Sequence, residues 1–188
     1  MKLHISTGNT KLGNIHNISL PPIVTCSPDI KCGKDCYARG ITRRWKAVRL
    51  AWERNLAIYK SDHGAYFTTI NDWLVLYSPA AFRWHVGGDI PDRAYLDGMI
   101  DIAKRFPHIK FMFFTKRYDW VTDEVVLPTN LRCRISAWPY MKLPESRHPK
   151  AWIRGDMRAP ADAAVCTGKC EDCMTCWDSE EDIILKPH

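Results

Sequence analysis

Cysteine spacing constrains this chain more than any other feature. Seven of its eight cysteines form two groups, Cys26-x5-Cys32-x3-Cys36 and Cys166-x3-Cys170-x2-Cys173-x2-Cys176, and Cys133 stands apart. Gaps of two or three residues let neighbouring thiolates converge on one centre from a single tight loop, as zinc and iron–sulfur sites both require. The Cys170, Cys173, Cys176 run has the spacing by which bacterial ferredoxins supply three ligands to a 4Fe-4S cluster, with Cys166 or a remote cysteine as the fourth. A structural zinc ribbon would show two separated pairs, so iron–sulfur leads and zinc is the alternative metal. Disulfides are the weaker reading. The opening MKLHISTGNTKLG lacks the apolar run of a secretory signal, and no stretch approaches the ~20 apolar residues of a membrane span. The expected location is therefore the cytoplasm, where thiols stay reduced.

At 188 residues the chain can bury one good core and a small satellite. We expect an α/β domain over residues 1–165 and a cysteine-rich segment over 166–188 packed on the same domain. Residues 42 to 60 place Trp45, Val48, Trp52, Leu56 and Tyr59 three or four apart, which predicts one amphipathic helix. A second helix is expected from about Asp62 to Leu76. In FRWHV, Phe82, Trp84 and Val86 alternate with Arg83 and His85 as in a strand, which turns His85 towards either a barrel interior or a helix layer. Asp92 can cap a helix with Leu96, Met99, Ile100 and Ala103 as its buried stripe, and KFMFFT at 110–115 reads as a strand. LRCRISAW at 131–138 alternates again, which makes Cys133 a small core residue. Residues 138–165 are proline-rich and predict an irregular connection with one short strand. A loop of that length in a compact domain is usually functional.

Strands separated by helices imply parallel pairing and right-handed crossovers, hence a parallel-stranded partial or small (β/α) barrel. Ligands then gather at the carboxyl ends of the strands. Three features fall there: the Cys26 to Cys36 loop, the turn Gly87-Gly88-Asp89-Ile90-Pro91, and Lys116-Arg117 after KFMFFT. The last two cations suit a phosphate or carboxylate, and a pair of surface cations is the plain alternative. His4, His16, His63, His85 and His108 show no ligand spacing among themselves.

STGNTKLGN, TCSPDIKCGKDCYA, HVGGDIPDRAYL, FFTKR and CEDCMTCW together make the chain resemble the bacteriophage "gene product 88" domain family over nearly its whole length. That resemblance implies a phage protein working in a bacterial host's cytoplasm. More distantly, the layout is similar to radical S-adenosylmethionine enzymes, whose partial barrels hold a 4Fe-4S cluster by three cysteines in the loop after the first strand. It implies that Cys26, Cys32 and Cys36 hold such a cluster beside Tyr37. Gly87, Gly88 and Asp89 would then bind S-adenosylmethionine, with Asp89 accepting its amino group, although those enzymes use Cys-x3-Cys-x2-Cys and a glutamate. A glycine-rich strand-to-helix turn explains the same residues without any ligand.

Three plus four cysteines favour two clusters, yet one site of four with three spare thiols satisfies the same count. Redox or radical chemistry is the leading function. The formal net charge of +6, with Arg43, Arg44, Lys46, Arg49 and Arg54 expected on one helix, supports the other class, a metal-stabilised protein that binds nucleic acid or a host protein without catalysis. A solvated helix face accounts for the same charges.

Overall fold

The computed structural model describes residues 2–186. Among them, eight strands form one sheet in the order β1-β2-β3-β4-β5-β6-β8-β7. β1 (Ile5–Ser6) runs antiparallel to β2 (His16–Ile18). All other pairings are parallel, through β3 (Ala81–Trp84), β4 (Lys110–Thr115), β5 (Leu131–Ser136), β6 (Lys150–Ile153), β8 (Ile183–Leu185) and the edge strand β7 (Ala164–Val165). From β2 to β6 the strands lie side by side in chain order, so every connection moves the sheet in one direction and right-handed crossovers fall on one face. The sheet keeps two edges, β1 and β7. The expectation of a partial or small (β/α) barrel reduces, among the described residues, to an eight-stranded, mostly parallel α/β sheet with two edges.

Helices α2 (Lys46–Ser61), α3 (His63–Tyr77) and α4 (Arg93–Arg105) cover one face. Side chains cap α3 and α4, whereas α2 begins after Trp45 without one. Asp62 Oδ1 accepts from Ala65 N at 2.8 Å, and Asp92 Oδ1 accepts from Tyr95 N at 2.9 Å, each satisfying an orphan amide of the first turn. Leu56, Tyr59, Ile70, Leu74, Leu96 and Met99 pack there on Phe82, Trp84, Phe111, Phe113 and Cys133. Cys133, 2% exposed, is the expected core residue.

The helix expected over 42–60 is two helices. α1 (Tyr37–Arg44) ends at Trp45, whose extended backbone (φ −119°, ψ 95°) turns the chain before α2 begins. Trp45 is 58% exposed and not part of the buried stripe. Hydrophobic spacing cannot register such a break, because one extended residue leaves the periodicity on both sides intact. The loop 138–165 also holds two short strands, β6 and β7, where one was expected.

The opposite face carries Ala81 and Met112, packed with Leu12, Ile15 and Trp177. It is covered by residues 7–15 and by the C-terminal segment, where α5 (Cys170–Cys173) and α6 (Thr175–Asp178) precede β8. Because β8 lies between β6 and β7, this segment is woven into the sheet.

Candidate metal and ligand site

Parallel strands point their carboxyl ends the same way, so the loops after β2, β3 and β4 meet. Leu20 N donates to Gly87 O at 3.0 Å, and Val86 N donates to Ser19 Oγ at 3.0 Å. Gly88 sits at φ +78°, and a Cβ there would lie 2.6 Å from Leu20 O, so glycine is required by conformation and by space. A Cβ on Gly87 would lie 2.3 Å from the Trp52 ring. The glycines thus let the β3 turn touch the loop that leads to Cys26.

Asp89 completes this junction. Its Oδ1 accepts from Thr115 Oγ1 at 2.7 Å and Ile90 N at 2.8 Å, and its Oδ2 accepts from Lys116 N at 2.8 Å. Burial pushes its pKa up, against these donors and the Lys116 charge. With three donors in place, a ligand's ammonium would find only the free side of Oδ2.

Behind the junction lies a cavity of about 420 Å³. Its wall includes Cys26, Cys32 and Cys36 from the first cysteine group and Cys166, Cys170 and Cys176 from the second, with Gly87, Gly88, Asp89 and Lys116. Two groups about 130 residues apart in sequence thus face one space. A smaller adjoining cavity of about 40 Å³ is bordered by Cys166, Cys170, Cys173 and Cys176 together.

Burial dominates the thiol electrostatics. It pushes Cys26 up to about 12, aided by the Asp89 charge, and Cys176 up to about 11, opposed by Arg134 and Arg83. Cys32 and Cys170 are raised by burial as well. Cys173 is lowered, because the Thr175 hydroxyl lies 3.0 Å from its sulfur. Among the described residues, no three His, Cys, Asp or Glu side chains converge on a point that would hold a single metal ion. A tetrahedral zinc with bonds of ~2.3 Å demands such convergence, whereas a multi-iron cluster takes its thiolates from further apart. The donors at the cavity are thiols, soft ligands of the kind that select iron–sulfur clusters, zinc or copper(I) over hard cations.

Not every expected residue reaches the cavity. Lys116 does, donating from Nζ to Ser136 Oγ at 2.9 Å. Arg117 does not. Its guanidinium donates to Ile90 O, Pro91 O and both Asp119 carboxylate oxygens, and lies 4.7 Å over the Trp120 ring, so it clamps the β3 turn from behind. His85 borders the cavity, yet it leaves the strand at φ +57° and its Nε2 lies 3.2 Å from Tyr95 Oη in the helix layer.

Three residues at the site went unread in the sequence. Arg83 lines the cavity from the inner face of β3. Arg134, fully buried, donates to the carbonyls of Thr175, Cys176, Ser179 and Glu181 and so pins α6 to the sheet. Glu171 Oε2 accepts from Asn14 N at 2.7 Å, which ties α5 to the N-terminal loop. For the two arginines the available signal was a parallel sheet, whose strands are covered on both faces, so that the polar side of an alternating strand is buried too.

A family model described as gene product 88 matches residues 3–179, and the chain belongs to that family of phage proteins. No curated protein and no solved structure matches the chain.

Proposed function

We propose that this gene product 88 protein is an iron–sulfur protein with redox or radical-type chemistry, working in the host cytoplasm. The observation that carries the reading is the shared wall, six cysteines from two distant groups around one cavity. Cys166, Cys170, Cys173 and Cys176 would hold one 4Fe-4S cluster. Cys26, Cys32 and Cys36 would hold a second, leaving one coordination position for a ligand in the cavity. Such clusters supply single electrons, and beside S-adenosylmethionine they supply radical chemistry. The chain's own contribution is enclosure and orientation. Gly88 allows the β3 turn against the cysteine loop, Asp89 fastens that turn to β4, and Met112, Phe114 and Trp177 keep the interior apolar. The side-by-side order of the parallel strands is that of an opened (β/α) barrel, which supports the partial-barrel kinship.

Anaerobic purification, with iron, sulfide and zinc analysis and an absorption spectrum, tests the reading. We expect brown protein with iron and acid-labile sulfide, and loss of about half of both, the share of the C-terminal cluster, in Cys170→Ser, Cys173→Ser or Cys176→Ser. Colourless protein holding stoichiometric zinc after iron-replete expression would sink the proposal. The radical form adds one expectation: S-adenosylmethionine perturbs the electron paramagnetic resonance of the reduced protein. Fully loaded protein with no such response and no reductive cleavage of S-adenosylmethionine would leave a redox or structural cluster.

One observation favours the second reading. Arg43, Arg44, Lys46, Arg49 and Arg54 are all exposed, and Arg44 lies 6.0 Å over the exposed ring of Trp45, a combination suited to phosphates and bases. Salt-sensitive nucleic-acid binding that survives loss of the iron would favour it.

A further inference from the structure

We infer that Arg83 anchors an oxyanion, and that the cavity takes a small molecule with a carboxylate or phosphate head and an apolar body. The inference rests on the reading of the cavity as the working site, not on the metal.

Arg83 is 8% exposed, and its Nε is buried without a hydrogen-bond partner. No ion pair involves it among the described residues. Its guanidinium lies 4.9 Å over the Phe114 ring, on the inner face of the sheet and on the cavity wall. On the same side of the sheet Arg134 donates to backbone carbonyls and Arg132 pairs with Glu180, whereas Arg83 has no such partner among the described residues. A buried cation left unpaired is strongly unfavourable, and a guanidinium fork suits carboxylate and phosphate oxygens.

The wall as a whole points the same way. Lys11, Arg83 and Lys116 stand against one carboxylate, Asp89. Asp89 cannot serve Arg83, since Thr115, Ile90 and Lys116 already occupy it. Apart from the cysteines, the charged side chains of the wall sum to a positive balance, and with an apolar floor of Met112, Phe114 and Trp177 they suit an acid with an apolar body. The competing counter-charge is the C-terminal thiolates, because Arg83 favours ionisation of both Cys170 and Cys176.

The test uses the anaerobically purified full chain, titrated with phenyl phosphate, phenylacetate and the neutral phenylethanol, followed by tryptophan fluorescence and calorimetry. We expect at least one acid to bind at least tenfold more tightly than the alcohol, with the stronger arm identifying phosphate or carboxylate. Arg83→Met should weaken that acid roughly ten- to hundredfold, the weight of a charge-assisted fork, with iron and sulfide content unchanged. If the Met variant does not fold, Arg83→Gln, which keeps an amide in the same space, carries the same expectation. Equal acid affinity in the neutral variant, or no preference for acids over the alcohol, overturns the inference. So does a variant that loses iron and sulfide while still binding the acid, since Arg83 would then serve the thiolates. Wild-type protein without iron that binds the acid through Arg83 would end the cluster reading and leave this inference standing.

Discussion

His85 shows how one residue can carry both a conformational and an electrostatic load. At φ +57° it occupies the left-handed region, which ends β3 and swings the imidazole from the cavity side to the helix layer. There burial, reinforced by the Arg83 charge, lowers its pKa to about 3 from the ordinary 6.5. The unfolded chain then binds a proton in the interval between those values that the folded chain does not. Stability from this group is complete above the unfolded pKa and is lost as the pH falls from 6.5 towards 3. The slope is about 1.4 kcal/mol per pH unit for one proton. Urea unfolding at successive pH values should show that slope, and His85→Asn, which tolerates the same backbone, should flatten it. An Asn variant with the wild-type acid slope would assign the loss to carboxylates instead. Residue-level reading from the sequence succeeded where environment and pattern agree, as at Cys133 and the Asp92 cap. It missed Arg117, because spacing places a residue at a strand end without saying which way its side chain turns.

Among the elements, the C-terminal segment depends most on others. α5 and α6 have four residues each, too few to be stable helices alone. Contacts with distant residues hold them, among them Cys170 N donating to Lys11 O at 2.8 Å and the Lys110–Asp178 ion pair at 2.7 Å. Trp177 is buried against Met112 and Ala81, Glu171 meets the amide of Asn14, and Arg134 gathers four carbonyls between Thr175 and Glu181. Gly13 sits at φ +64°, a conformation glycine adopts without strain, and a Cβ there would push the Glu171 carboxylate from its place beside Asn14. This explains why STGNTKLGN and CEDCMTCW belong to one pattern although they lie at opposite ends of the chain. Arg134→Met removes the fork and leaves several carbonyls unpaired, so we expect a loss of about 3 kcal/mol in urea unfolding. Hydrogen exchange should quicken over residues 175–185 and stay unchanged in α4. Uniform acceleration across the chain would show that Arg134 supports the whole core rather than this segment.

At the scale of the molecule, one sheet carries two cores. Helices α2 to α4 cover one face, and the N-terminal loop and the cysteine segment cover the other. Because β8 is hydrogen-bonded between β6 and β7, a chain ending at residue 165 would lose an internal strand and the cover of the second core. We expect that truncation to bind a hydrophobic dye and to lose its cooperative thermal transition. A sharp transition near that of the full chain would instead make residues 166–188 a dispensable appendage. The order of residues alone records what short-range physics encodes. Alternation marked β3 and β5, a short apolar run marked β4, helical spacing marked most of α2, the Asp92 cap with its buried stripe marked α4, and close cysteine spacing marked two candidate ligand groups. It could not determine where Arg83, Arg134 and Glu171 act, that Trp45 breaks a helix, or that both cysteine groups border one cavity. Those depend on contacts between residues far apart in the chain, and no local pattern records which partner a buried charge or thiol meets. Only the parallel order of the strands, which brings their carboxyl ends and the returning C-terminal segment to one side, decided them.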